Sequence, residues 1–166
     1  MPSTPTDSPG TDPRRFPATG KRRRLFAIAA GAMLSVAGLV YGFVHEGKSF
    51  AIEAAVPQLE LEENPFVLRE AWWNGELQAG ETKIIQHQLF KRNEYWFWLG
   101  VSQTDAKVSI HVYDSEGKLD EEEAWQDRNV AAVRVEPNKT GVYYIRVAVE
   151  SVTEPPAEWA VVYAYR

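Results

Sequence analysis

Cysteine is absent from the 166-residue chain, and its absence removes several kinds of site at once. Without a thiol there is no disulfide framework, no cysteine-based zinc site and no cysteine nucleophile. Histidine is scarce, with three residues, and none of them shares a recognisable motif with a serine and an aspartate. The HExxH and GxSxG patterns are missing as well. We therefore predict a protein that is not an enzyme and that uses no cofactor.

Charge is also missing from one long stretch of the chain. The twenty residues from Leu25 to Val44 hold no charged side chain, and Ser35 is their only clearly polar residue. A helix of that length rises about 30 Å, which matches the hydrocarbon core of a bilayer. We therefore predict a single transmembrane helix at residues 25–44, with the lipid bilayer as its partner.

A positive cluster directly precedes this apolar stretch. The cluster consists of Lys21, Arg22, Arg23 and Arg24. Because cations beside a membrane span stay in the cytoplasm, we expect a cell (inner) membrane protein with a cytoplasmic N-terminus. The C-terminal part then lies in the periplasm or outside the cell.

A cleaved signal peptide is the alternative interpretation of the same segment. Ser49-Phe50-Ala51 offers small residues at the spacing of a cleavage site. The apolar run is longer than the roughly 7–15 residues of a signal-peptide core, which favours an uncleaved anchor.

Small residues follow one face of the predicted membrane helix. They are Gly31, Ser35, Gly38 and Gly42, at spacings of four, three and four. Such a face lets two helices approach closely, so it is a candidate homodimer contact. The alternative is that small residues are simply frequent in membrane spans.

The segments on either side of the apolar stretch differ in composition. Residues 1–24 are rich in proline and poor in large apolar side chains, which predicts a disordered basic tail. Residues 45–63 are predicted to be a tether. From His45 onward the chain has 12 basic and 21 acidic residues, a net charge of −9. This acidic part repels phosphate backbones, so no nucleic acid partner is expected.

Six later segments alternate between apolar and polar residues with the period of a half-buried strand. They are KIIQHQLFK, EYWFWLGVS, KVSIHVYD, NVAAVRVEP, VYYIRVAV and EWAVVYAY. The alternation assigns Phe97 and Ile145 to a core and Ser109 to a solvated face. Turn sequences such as DSEG and PNKTG separate the segments. The predicted fold class is all-β, an antiparallel β-sandwich over residues 64–166.

A short helix is predicted at the start of this domain. Asn64 suits the N-cap, Pro65 suits the first helical position and Gly75 suits the C-terminal stop. A strand is the alternative, because Val67 and Trp73 are equally typical of strands.

The aromatic run in NEYWFWLGV divides between two faces. Tyr95 and Phe97 fall on the core face, whereas Trp96 and Trp98 fall on the other. If the strand forms a hairpin with the preceding one, that outer face is too apolar for plain solvent. The preferred prediction is that residues 66–73 cover it. The alternative is an exposed binding surface made of Trp96, Trp98 and Tyr144.

Several short motifs occur in a characteristic order between about residues 75 and 165. They are an L-x-x-G-E opening, N-x-Y-W-F, a V-Y-D-x-x-G hairpin and a P-x-x-T-G-x-Y-x-I-R-V strand. In these motifs the chain resembles the bacterial pre-peptidase C-terminal domain family. The resemblance implies a jelly-roll β-sandwich without catalytic residues of its own. Members of that family are usually appended to secreted enzymes, whereas here the domain follows a predicted membrane helix.

The acidic stretch DSEGKLDEEE contains three calcium-ligand candidates, Asp114, Glu116 and Asp120. Some relatives in the family it resembles bind calcium. The EF-hand pattern fails, since Lys118 and Leu119 stand where ligands or glycine are needed. An exposed acidic hairpin is therefore the preferred interpretation.

The three histidines receive separate interpretations. His45 belongs to the membrane boundary, and His111 falls on a predicted polar face. His87 falls on the inward side of its strand, which predicts a hydrogen-bonded core histidine and not a catalytic one.

These observations predict a single-pass, membrane-anchored β-sandwich that acts outside the cytoplasm as a non-catalytic binding or accessory module. Its partner is expected to be another protein or an envelope polymer. The alternative within the binding class is a lectin-like module that holds carbohydrate on Trp96 and Trp98.

Overall fold

The computed structural model describes residues 45–166, and the statements below concern that part of the chain. The predicted tail, membrane helix and dimer face fall at residues 1–44, outside the described residues. From residue 45 onward, no helix is both long enough and apolar enough to cross a bilayer.

The described chain forms one helix followed by nine strands. The elements are α1 Glu46–Leu59, β1 Val67–Leu68, β2 Trp73–Leu77, β3 Thr82–Leu89, β4 Tyr95–Val101, β5 Lys107–Tyr113, β6 Glu123–Asp127, β7 Val130–Val135, β8 Gly141–Ser151 and β9 Ala157–Tyr165. The strands make two antiparallel sheets. We call them the large sheet, in the order β1-β9-β4-β7-β6 with β2 also paired to β9, and the small sheet, in the order β3-β8-β5. The prediction of an antiparallel β fold is confirmed.

The two sheets pack face to face around a common core. Side chains of the large sheet such as Phe97 and Val133 lie in one buried cluster with Ile110 and Ile145 of the small sheet. Phe97 and Ile145 are fully buried, as the alternation predicts. Ser109 is half-buried on the other face of β5. The strand periodicity therefore located the inner faces correctly, because successive side chains of a strand point to opposite faces.

Strand β4 is buried on both of its faces. All seven residues from Tyr95 to Val101 are inaccessible to solvent, including those that point away from the sandwich core. Helix α1 packs on that outer face. Its residues Ala51 and Ala55 share a second buried cluster with Trp96 and Trp98. The structure thus differs from the tether predicted at residues 45–63, because most of that range is a helix packed on the large sheet.

Helix α1 begins with a side-chain cap and lies very close to the sheet. His45 has an extended backbone, and its Nδ1 accepts a hydrogen bond from the N–H of Lys48. The buried stripe of the helix consists of Gly47, Ala51 and Ala55, four residues apart. Gly47 faces Gly100 of β4, where a Cβ on Gly100 would lie 2.1 Å from the carbonyl oxygen of Gly47. This contact between two backbones requires glycine on both sides.

The segment after α1 contains strands and no helix, so the helix predicted from Asn64 is wrong. Asn64 has a φ of 47°, in the left-handed region, whereas an N-cap residue has an extended backbone. Strands β1 and β2 both pair with the same edge of β9, with Val67 opposite Tyr165 and Trp73 opposite Val161. The backbone N–H and C=O groups of β1 and β2 therefore form hydrogen bonds with β9, whereas in a helix they would bond within the segment.

Strands β3 and β4 do not form the hairpin that the sequence analysis considered. These consecutive strands lie in different sheets, with β3 paired to β8, and β4 paired to β7 and β9. As a result Ile84 and Phe90 do not face the two tryptophans of β4, and each is about half exposed. A further strand, β6, was not predicted from the acidic stretch. All of its residues are exposed at an edge of the large sheet, so it lacks the alternation that marks a half-buried strand.

Candidate functional site

The alternative, an exposed binding surface of Trp96, Trp98 and Tyr144, is not formed by the described residues. Trp96 and Trp98 are 2% and 1% exposed, and their rings stack with centroids 5.7 Å apart beneath α1. Phe66, Leu68 and Trp72 complete the cover. The prediction that the chain itself covers the two tryptophans is therefore right. Residues 66–73 provide only part of that cover, and α1 provides the rest.

Tyr144 lies elsewhere on the molecule. It belongs to β8 of the small sheet, where it pairs with Gln86 and Tyr113 and is half-buried. The structure does not bring it together with Trp96 and Trp98, because these belong to the outer face of the large sheet.

The acidic calcium candidates serve the hairpin that contains them. Oδ1 of Asp114 accepts hydrogen bonds from the N–H groups of Glu116 and Lys118, at 2.8 and 2.9 Å. These bonds, with that from Lys118 the strongest, lower the pKa of the Asp114 carboxyl. Glu116 forms an ion pair with Lys139 at 2.8 Å. Within residues 45–166 no group of three or more acidic or histidine side chains is placed to hold a metal ion.

Two of the histidines have local structural partners. His45 caps α1, and its ring contacts Trp72 edge to face at 5.3 Å. His111 Nδ1 lies 3.1 Å from Oε1 of Glu121, and the same oxygen accepts a hydrogen bond from the N–H of Val112. The pair ties the acidic loop to β5.

His87 has a different environment, inside a cluster of aromatic rings. Its imidazole meets Trp73 at 5.1 Å and Tyr163 at 4.9 Å, in both cases edge to face. Trp73 and Tyr163 stack on each other at 5.2 Å. Burial among these rings lowers the pKa of His87, because the apolar surroundings disfavour the charged imidazolium. The inward orientation of His87 agrees with the sequence prediction, although its contacts are aromatic.

Beside His87 is a cavity of about 320 Å³, which we call the aromatic cavity. It is lined by Arg69, His87, Gln88, Phe90, Asn93, Tyr95, Tyr163 and Tyr165. The lining comes from four places in the chain: the loop after β1, the end of β3 with its following turn, the start of β4, and the end of β9. Its size is at the lower end of the range for small-molecule sites, and its mixture of aromatic and polar groups is typical of them.

The hydroxyl of Tyr95 is the most constrained polar group of the cavity. Its oxygen accepts one hydrogen bond from the N–H of Phe90 at 3.1 Å and another from Nδ2 of Asn93 at 3.2 Å. A phenol has two lone pairs and one proton, so both acceptor positions are filled. No acceptor from residues 45–166 takes the proton, although the residue is only 3% exposed. The hydroxyl can therefore donate to a ligand.

The charge of the lining is positive. Arg69 places its guanidinium 5.3 Å from the centre of the Tyr165 ring, and it joins no ion pair with another described residue. No lining residue within the described chain is an Asp or a Glu. This is notable in a part of the chain whose net charge is −9. The cavity accordingly favours electron-rich ligands over cations.

A second, more polar cavity lies on the other side of the turn after β3. It is lined in part by Lys91, Arg92, Glu94 and Arg166, and it shares Asn93 with the aromatic cavity. Glu94 binds Arg134 at 2.6 Å and Arg166 at 2.7 Å. Burial alone would raise the pKa of Glu94, but the bonds from Arg166 and Arg134 outweigh it and lower the pKa. These pairs hold the turn in place.

Most residues of the aromatic cavity escaped the sequence interpretation. Arg69 and Phe90 carry no motif, and Asn93 was noted only as part of N-x-Y-W-F. Among the lining residues, His87 gave the one clear indication of this site in the sequence. It is a titratable residue at a strand position where an apolar side chain is expected. The comparisons with known proteins add no match, since no protein-family model fits the chain and no curated protein resembles it.

Proposed function

We propose that the protein is a single-pass membrane protein whose β-sandwich acts outside the cytoplasm as a non-catalytic binding module. The anchor is the uncharged stretch at residues 25–44, oriented by the four preceding cations. The aromatic cavity is the observation that supports binding. It combines aromatic walls with a small number of polar groups, as ligand sites do.

The environment of His87 supports a role without catalysis. The described residues that line the cavity offer His87 no serine, threonine, lysine or carboxylate with which to form a nucleophile–base pair. Its ring is instead held by Trp73 and Tyr163, neither of which orients a general base.

The position of α1 supports an anchor over a cleaved signal peptide. Cleavage after Ala51 would cut the helix near its middle and remove Gly47, which packs on Gly100. It would also uncover part of the surface above Trp98. A processed chain would therefore lose contacts that the folded domain uses.

The family assignment remains part of the proposal. Two of the motifs that resemble the pre-peptidase C-terminal domain family lie at strand ends of the sandwich. The V-Y-D-x-x-G motif ends β5 and forms its turn, and P-x-x-T-G leads into β8. We propose a jelly-roll sandwich of that family, which would act here behind a membrane anchor.

Reporter fusions to the full-length chain test the topology. A reporter enzyme that is active only outside the cytoplasm should be active when fused after Arg166 and inactive when fused after Gly20. Activity in the reverse pattern would overturn the topology. Recovery of a mature chain that begins near Ile52 would show that the signal-peptide alternative is correct.

A further inference from the structure

We propose that the aromatic cavity binds a carboxylate-bearing sugar, such as a uronic acid unit of an acidic envelope polysaccharide. The inference rests on the proposed binding function and names its ligand class. It moves the carbohydrate site away from Trp96 and Trp98, which are buried, to residues that surround His87.

Two hydrogen-bond donors define the anionic part of the ligand. The proton of Tyr95 has no protein acceptor within the described chain, since both lone pairs of its oxygen are engaged by Phe90 and Asn93. Arg69 lines the same cavity, and its guanidinium, which has donors only, lies 5.3 Å from the ring centre of the lining residue Tyr165. Arginine binds carboxylates with two parallel hydrogen bonds, and such charge-assisted bonds are stronger than neutral ones. A ligand carboxylate satisfies both groups.

The aromatic walls define the remainder of the ligand. Phe90 is a lining residue of the cavity and is 49% exposed. Its ring can cover the apolar C–H face of a sugar. The amides of Gln88 and Asn93 can exchange hydrogen bonds with ring hydroxyls, because an amide is both donor and acceptor. A volume of about 320 Å³ suits one or two sugar units and not a folded partner.

The same features disfavour other small ligands. An aromatic cage for a quaternary ammonium ion needs free ring faces and no competing cation. Here Arg69 already occupies the face of Tyr165, and the described lining has no carboxylate to balance a second positive charge.

The aromatic cavity and the start of α1 lie near opposite ends of β4. The cavity lies near Tyr95, at the first residue of β4, whereas the start of α1 contacts Gly100, near the last. At about 3.3 Å per residue, these points are roughly 17 Å apart along the strand.

Binding of defined oligosaccharides to the purified full-length chain tests the inference. Trigalacturonic acid is the probe, the neutral maltotriose controls for the carboxylates, and acetate controls for the sugar ring. We expect calorimetry to detect trigalacturonic acid at a concentration where neither control binds. Binding should weaken with added salt, since a charge pair contributes to it. Equal binding of maltotriose, or full competition by acetate, would overturn the inference.

Paired variants locate the binding. Arg69→Gln and Tyr95→Phe should each lower the affinity for trigalacturonic acid about tenfold or more, because each removes a donor to the carboxylate. Their controls are Arg128→Gln, in the exposed turn after β6, and Tyr113→Phe, on the outer face of the small sheet. Both controls should bind like the wild type. If all four variants bind equally, the sugar is held elsewhere and the inference is wrong.

The sugar-binding experiment and the reporter experiment can fail independently of each other. If the reporter after Arg166 is active but trigalacturonic acid does not bind, the ligand assignment fails and the topology stands. Binding of an extended acidic peptide without binding of the sugar would also overturn the assignment, because the ligand would then be a peptide and not a sugar.

Discussion

The strands of both sheets alternate between inward and outward residues, but the outer faces of the two sheets differ in burial. On the large sheet, the outward residues Trp96, Trp98 and Val162 are buried beneath α1. On the small sheet, outward residues such as Gln86 and Tyr144 remain partly or fully exposed. Period-two alternation separates the faces of a strand, but it does not say which outer face another element covers.

Small residues explain how the helix comes so close to the large sheet. Ala132, Ala164 and Gly100 lie on its covered side and leave space for the alanines of α1. The large tryptophans fill the area around this close contact. A helix and a sheet can pack tightly when bulky residues on one surface meet small ones on the other, because interiors are packed to crystal-like density.

The sharpest test of this comparison replaces one outward aromatic residue on each sheet. Trp98→Ala should lower the free energy of unfolding by about 3–5 kcal/mol, because it leaves a cavity beneath α1. Tyr144→Ala, the matched change on the small sheet, should cost about 1 kcal/mol or less. Urea unfolding of the two variants measures both. Similar losses would mean that α1 does not cover the large sheet in solution.

A second test adds a methyl group to the closest contact. Gly100→Ala should destabilise the protein by about 1–3 kcal/mol, since the new Cβ collides with the backbone of Gly47. Gly141→Ala is the control at the start of β8, where a Cβ would meet no atom within 4 Å. Thermal unfolding should separate the two variants clearly. A harmless Gly100→Ala would show that the helix sits farther from the sheet.

A third test uses pH to examine the buried ring cluster. The pKa of His87 is lowered in the folded state, whereas in the unfolded state it should be near 6.5. Between the folded and unfolded pKa values of His87, the unfolded chain binds more protons than the folded chain. The free energy of unfolding therefore rises with pH in that range. The stability from neutral His87 is complete above about pH 6.5 and is lost as the pH falls through the folded value.

The contribution of His87 can be isolated by substitution. His87→Gln should unfold with a smaller difference in stability between about pH 7.5 and pH 5.5 than the wild type shows. Urea unfolding at both pH values measures that difference. An unchanged pH dependence would show that His87 is solvated when the protein is folded.

The smallest expected effect comes from an outward residue of the small sheet. Ser109→Ala should change the free energy of unfolding by less than about 0.5 kcal/mol, because its side chain lies on the half-exposed face of β5. Phe97→Ala, on an inward position, should cost about 3–5 kcal/mol by comparison. Equal effects would place β5 one residue out of register, since a slip of one residue exchanges the faces.

Local patterns predicted some elements well and others poorly. The inward residues Phe97 and Ile145 were both located correctly, although β8 is buried mainly on one face and β4 on both. Helix α1 was missed because its buried stripe is glycine and alanine, which have little apolar surface to reveal an amphipathic pattern. Strand β6 was missed because all of its residues are exposed.

The sequence by itself determined which side of each of the six predicted strands faces the core, because that depends on the pleat of a single strand. It also determined the acidic character of residues 45–166 and the absence of thiol chemistry. Tertiary structure alone decided what covers Trp98 and where the aromatic cavity forms. Arg69, Tyr95 and Tyr163 are far apart in the chain, and they meet only because β9 pairs with β1 on one side and β4 on the other. Long-range strand pairing of this kind leaves no local pattern in the sequence.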